Sequence, residues 1–276
     1  MILVTGATGN IGRELVGILA AAGHQVRAAS RKPGGEALPD GVTAFAADLN
    51  RAETFTEALA GVRGMFLMPG YDDMAGLLAL ARKSGVEHVV LLSGGSAGSG
   101  DRTNAVSRYM IDSEQAVLDS GIAWTFVRPR AFMSNALRWL PQLREGDEVR
   151  VPFADVRAAA IDPYDIAAVV GQALVADGHR GVIHTVSGPE SLLPAEQIAT
   201  LADVLGRDLR CVPLSNDEAR AQMSENTPAE YVDAFFRFYV DGELDESQVE
   251  DTVERVTGRA PRTFRQWAEA HADAFR

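Results

Sequence analysis

Short apolar runs alternate with amphipathic stretches through the first half of the chain. The pattern predicts strands at 2–5, 25–29, 42–46, 64–68, 87–92 and 123–128, with helices near 10–22, 52–59, 73–83 and 104–119 between most of them. In the first helix Ile11, Leu15, Val16, Leu19 and Ala22 share one face, and Gly23 is suited to stop it. Strands alternating with helices predict an α/β, doubly wound parallel sheet with helices on both faces. In such a sheet ligands bind at the carboxyl ends of the strands, near the point where strand order reverses. After Pro129 the pattern loosens: 150–161 reads as two short strands, 163–176 as a helix and 181–186 as a strand. From Pro194 onward the chain reads as helices at 194–205, 215–224, 228–240, 246–257 and 262–274, with one short strand at 209–213. No repeat or flexible linker interrupts it, so the C-terminal part is expected to pack directly on the first, with a ligand cleft between them.

Composition narrows the function classes. The 276 residues carry a formal charge of −12, with acids spread along the chain, which argues against general nucleic-acid or anionic-membrane binding. The single cysteine, Cys211, has no internal partner for a disulfide. His24, His88, His179, His184 and His271 show no metal-ligand spacing, so no metal is expected. The first strand begins at residue 2, leaving no room for a signal peptide, and no apolar run reaches the roughly 18–20 residues of a membrane span. The expectation is a cytoplasmic chain, a monomer or homodimer, acting on a small molecule.

The candidate chemistry sits at the strand ends. The first strand runs into Thr5-Gly6-Ala7-Thr8-Gly9-Asn10-Ile11-Gly12, and a strand, a glycine turn and a helix N-terminus together make an anion site. Gly6 serves the tight turn, Gly9 the approach to a diphosphate and Gly12 the close packing of helix on sheet, with Thr8, Asn10 and Ile11 supplying the surrounding cradle. The second strand ends in Ser30-Arg31-Lys32-Pro33, with no acid before Glu36. A free ribose 2′-hydroxyl calls for Asp or Glu at this position and a 2′-phosphate for Arg, so the cofactor expected is NADP(H). After the third strand, Asp48-Leu49 either meets the adenine or caps the next helix. Met68-Pro69-Gly70 leaves the fourth strand toward the middle of the cofactor, or makes a plain turn. Ser93, at the end of the fifth strand, stands beside the expected nicotinamide, where it either bonds a substrate oxygen or satisfies loop backbone. After the sixth strand, Pro129 and Phe132 approach the nicotinamide. Met133, Trp139 and Phe153 serve either as an apolar substrate wall or as core. Asp162 and Asp165 flank Pro163 at a helix start, where capping is favoured.

TGATGNIG (5–12), the Arg31 turn, HVVLLSG (88–94) and SGIAWTFVRPRAFM (120–133) together resemble the NmrA-like branch of the atypical short-chain dehydrogenase/reductases. The likeness continues through AAAIDPYDIAAVV (158–170), HTVSGPESL (184–192) and VTGRAPRTFRQWAEAH (256–271). It implies an NADP-binding Rossmann domain over 1–150, to which 158–187 return, and a smaller, mostly helical substrate domain over 188–276. Related proteins include quinone, dye and isoflavonoid reductases and also redox-sensing regulators. One departure matters. Many short-chain reductases carry Tyr-x-x-x-Lys on the helix after the fifth strand, whereas Ser113 stands four residues after Tyr109 here. Aligned through Gly121–Val127, the lysine of isoflavone-reductase-like relatives falls on Met110, which is expected to pack or to line the pocket. Tyr109 is left as an unassisted candidate acid, a poor one at neutral pH. Two functions follow: an NADPH-dependent oxidoreductase reducing a planar or apolar electrophile, a quinone or conjugated carbonyl, by hydride transfer, or an NADP(H)-sensing regulatory protein without catalysis.

Overall fold

The computed structural model describes residues 1–32 and 38–276; Pro33 and Glu36 of the second strand's turn lie outside the described residues. Strands β1 (Ile2–Thr5), β2 (Val26–Ser30), β3 (Val42–Ala46), β4 (Gly64–Leu67), β5 (His88–Leu92) and β6 (Ala123–Pro129) enter one parallel sheet. β7 (Glu148–Val151) lies apart and pairs with β9 (Arg210–Pro213), while β8 (Val182–Val186) returns to the sheet edge beside β6. The order is β3-β2-β1-β4-β5-β6-β8, so the switch point falls between β1 and β4. This is the Rossmann form of the doubly wound sheet.

Both faces are covered, which explains why β1 and β5 are buried at every position. Ile2 and Val4 face helices α1 (Asn10–Ala21) and α5 (Pro163–Val175), while Leu3 faces the opposite side with α2 (Met74–Lys83) and α3 (Ala105–Ser120). After β6 the chain makes a 3-10 turn over Met133–Trp139 and the short α4 (Leu140–Glu145). Helix α5 (Pro163–Val175), capped by Asp162, is apolar around most of its surface because the sheet and α1 enclose it. The helical C-terminal region comprises α6 (Pro194–Leu205), α7 (Asn216–Ser224), α8 (Ala229–Tyr239), α9 (Thr252–Thr257) and α10 (Phe264–Ala270). Its core gathers Leu201, Phe264 and Trp267 against Met133, Leu143 and Val149. No helix among the described residues is long and apolar enough to cross a membrane.

Four segments differ from expectation. Residues 52–59 form a 3-10 turn only over Ala52–Phe55. Of the two strands expected in 150–161 there is only β7, ending at Val151; the remainder makes isolated bridges, Phe132 with Ile161 and Ala158 with Leu192. The C-terminal helix is regular only over Phe264–Ala270 and ends in a 3-10 turn. The helix expected at 246–257 begins only at Thr252. Asp245 explains the last case: its Oδ1 accepts from the backbone N–H of Ser247 at 2.9 Å and from its hydroxyl at 2.6 Å. Such a local turn competes with helical hydrogen bonds.

Candidate functional site

At the carboxyl ends of β1, β2, β3 and β4 a cleft of about 320 Å³ is lined by Gly6, Thr8, Gly9, Ser30, Arg31, Asp48, Leu49 and Met68. Asn50, Phe55 and Tyr71 line it too. The strand-end rule thus gathers residues from four separate turns into one site. Gly6 has φ +60°, in the left-handed region open to glycine, and its carbonyl accepts from the Gly9 N–H at 2.9 Å. A Cβ on Gly12 would stand 2.2 Å from the Gly6 carbonyl oxygen, so the third glycine lets α1 seat on the turn. Helix α1 has glycine at its N-cap, no side-chain cap and no acid in its first turn. Its free N–H groups therefore face outward for an anion, which fits a diphosphate.

The walls of the cleft are electrostatically mixed. The Tyr71 phenol is pushed up by burial, and Arg31 and Asp48 act on it with opposite sign. Asp48 also accepts from the Asn50 N–H at 3.1 Å, so its carboxylate shapes its own turn while facing the cleft. The Thr5 hydroxyl donates to the Phe66 carbonyl at 3.0 Å and accepts from the Met68 N–H at 3.1 Å, fixing the exit of β4. Pro69 continues that exit, half-buried.

Other expected residues fall elsewhere. Lys32 is exposed and outside the cleft lining. Ile11 is core beneath α1, and Asn10 lines a separate cavity of about 190 Å³ with Arg13, Arg262, Trp267 and His271. Met133 is 2 % exposed and belongs to the core, so it forms no open wall, whereas Trp139 packs on that core half-buried. Phe132 bridges to Ile161 beside the buried Pro129. Phe153 packs on Phe236 and Tyr239, with ring centroids 5.1 Å away in each case.

Ser93 is 2 % exposed, and its hydroxyl donates to Glu114 Oε1 at 2.6 Å. Arg128 closes the same network, donating Nε to Oε1 at 2.8 Å and Nη2 to Oε2 at 2.6 Å. The one proton of that hydroxyl is committed inward, to a bidentate ion pair joining α3 and β6. The ring of Tyr109 lies on Gly70, where a Cβ would stand 2.4 Å from it, and burial pushes its phenol up to about 12. Ser113 holds this contact: its hydroxyl donates to the Tyr109 carbonyl at 2.7 Å and accepts from the Gly70 N–H at 3.0 Å. Met110 packs against Gly94. Tyr71 was missed by the strand-end reading because it directly follows the Met68-Pro69-Gly70 exit; its aromatic ring beside that turn was the available signal.

Comparison with known proteins shows the family and the fold. The chain is 41 % identical, over its whole length and 99 % of the relative, to (4-alkanoyl-5-oxo-2,5-dihydrofuran-3-yl)methyl phosphate reductase of Streptomyces griseus. It is 38 % identical, with the same coverage, to the NAD(P)H azoreductase of Xenophilus azovorans. Among solved structures, an NADPH-dependent quinone oxidoreductase from Escherichia coli in complex with NADPH superposes with a TM-score of 0.79 at 21 % identity, covering 99 % of this chain and 100 % of that one. The NmrA-like family matches residues 1–269, and the chain belongs to that family.

Proposed function

We propose that this protein is an NADPH-dependent reductase of conjugated electrophiles, such as quinones and α,β-unsaturated carbonyl compounds. The observation that carries the reading is the cleft at the switch point, where the uncapped N-terminus of α1 and Arg31 meet at one site, with no acid among the described residues directly after β2. Two full-length relatives named as reductases support it, one of an unsaturated lactone and one of azo compounds.

The N–H groups of the first turn of α1 hold the diphosphate between Thr8 and Ile11. Ser30 and Arg31 hold the 2′-phosphate, with Lys32 adding charge from solvent. Asp48, Leu49 and Tyr71 enclose the adenine. When bound, the cofactor supplies a hydride from its nicotinamide. Pro129 and Phe132 back that ring, and Ser93 acts as a positioning residue that fixes the Gly94-Gly95 loop through Glu114 and Arg128. Met110 and Phe153 contribute apolar surface toward the acceptor, which suits a planar molecule. The 1–150 unit with 158–187 carries the cofactor, and 188–276 shapes the acceptor side.

The test is NADPH oxidation against a panel of quinones, enones and azo compounds, run beside a fluorescence titration of NADPH and NADH. Turnover of a conjugated acceptor with tighter binding of NADPH is expected. Tight NADPH binding without turnover of any acceptor would overturn the reductase reading in favour of a nucleotide-sensing regulator.

A further inference from the structure

Residues 245–250, between α8 and α9, form an irregular strap across the carboxyl ends of β6 and β8. Three anchors hold it there. Arg130, directly after β6, donates to the Asp245 carbonyl at 2.8 Å and to Glu250 Oε1 at 2.9 Å. The wholly buried Ser187, directly after β8, accepts from the Glu250 N–H at 2.7 Å. The Ala159 N–H donates to the Glu246 carbonyl at 2.7 Å, two residues from the Ile161 that bridges to Phe132. The strap thus brings Glu246 to the end of the sheet where Pro129 and Phe132 stand. There the Tyr239 hydroxyl donates to Glu246 Oε2 at 2.9 Å, and the Phe153 ring packs on Tyr239. Phe153 is held at φ +53°, an uncommon conformation for a bulky residue, and such strain clusters at functional sites.

We propose that Glu246, hydrogen-bonded to Tyr239, supplies the proton that accompanies hydride transfer, in place of the Tyr-x-x-x-Lys pair that this chain lacks. The inference rests on the reductase reading. With an enone, the acceptor takes a hydride at its β-carbon and the π electrons move to the carbonyl oxygen. The Glu246 O–H bond then breaks and its proton goes to that oxygen, giving an enol that tautomerises to the saturated ketone. NADPH is oxidised to NADP⁺, and the Glu246 carboxylate regains a proton from water through the Tyr239 hydroxyl. Burial raises the Glu246 carboxyl from its ordinary value, opposed by the Tyr239 hydrogen bond and by Arg130. The Tyr239 phenol is held well above its ordinary value by burial and Glu246, with Arg138 acting against them. Among the described residues, Arg130 and Arg138 are the charged groups that act on the pair.

The experiment compares wild type, Glu246→Gln and Tyr239→Phe with NADPH and an enone across pH, with NADPH affinity measured by fluorescence. In parallel, infrared spectra of the cofactor-free protein follow protonated carboxyl bands. A single basic limb in wild-type kcat is expected, where Glu246 loses its proton. Glu246→Gln should lower kcat about 10²–10⁴-fold, flatten that limb, leave NADPH affinity unchanged and remove one titrating carboxyl band. Tyr239→Phe should shift the limb to higher pH, because it removes a hydrogen bond that favours the carboxylate. A Glu246→Gln enzyme of near wild-type kcat, one that keeps the limb, or one that keeps every titrating band, overturns the proposal alone. A wild type that binds NADPH and turns over no acceptor overturns the reductase reading, and the proposal with it.

Discussion

Arg31 and Tyr109 make opposite predictions at the scale of single residues. Arg31 lines the cleft beside Ser30, and losing one charge-assisted phosphate contact costs on the order of 1.5–3 kcal/mol, roughly ten- to a hundred-fold in affinity. Titration of Arg31→Ala should therefore show weakened NADPH binding and little change toward NADH. Tyr109 lacks a lysine partner, its ring is packed on Gly70, and its phenol is pushed up to about 12. A phenol that holds its proton so firmly is a weak donor at neutral pH. Tyr109→Phe should lower kcat by less than about ten-fold, against the 10²–10⁴ lost with a general acid; steady-state kinetics on a quinone checks it. Arg31 was legible because it directly follows the second strand, at the sheet end where a doubly wound fold binds its ligand. The inward hydrogen bond of Ser93 was not, because its partner Glu114 reads in sequence as one more charge on a helix.

Elements are joined in this fold at two points that invite mutation. Glu114 on α3 and Arg128 on β6 form a bidentate pair with side chains 9 % and 17 % exposed. Glu114→Gln leaves the guanidinium buried without its counter-charge and should cost about 3–5 kcal/mol in a urea unfolding titration. Ser93→Ala removes one hydrogen bond to a carboxylate that Arg128 still satisfies and should cost less, about 1–3 kcal/mol. Helix α1 meets its turn at Gly12, where the added methyl of Gly12→Ala would lie 2.2 Å from the Gly6 carbonyl oxygen. The helix must move away, so the variant should melt earlier by circular dichroism and lose NADPH binding together. The strand–helix alternation was readable because burial on both faces makes the strands short continuous apolar runs, while burial on one face gives the helices a period of 3.6. The strap at 245–250 was hidden because Val249 stands at helical spacing from Val253 and Val256 of α9, while Asp245 diverts the backbone before them.

The molecule as a whole carries a pH dependence at the end of the sheet opposite the cleft. His88 bonds the Thr125 hydroxyl at 2.9 Å, and His179 Nδ1 lies 3.0 Å from His184 Nε2. His88 and His184 are 5 % and 3 % exposed, and burial lowers each to about 4. The unfolded chain takes up these protons near pH 6.5, the folded chain only near 4. Between those values the unfolded state binds more protons, so stability falls as pH drops through the window and levels off below it. Each histidine accounts for up to about 3 kcal/mol of that fall. Urea titrations between pH 7 and 4 should show the loss, and His88→Gln should remove part of it; a stability independent of pH over this window would contradict the neutral, buried assignment.

The sequence by itself determined the doubly wound sheet, the glycine turn and the residues at four strand ends, because local periodicity and turn chemistry depend on near neighbours alone. The tertiary structure decided which of those ends share a cleft, since β1 lies beside β4 rather than β3 only after the crossover has formed. It also decided which apolar residues are wall and which are core: Met133 is core through contacts with segments far along the chain. The partners of the buried charges were settled at that level too. Ser93 with Glu114, and Tyr239 with Glu246, meet by packing, and no spacing in the chain encodes an encounter between side chains carried on different elements.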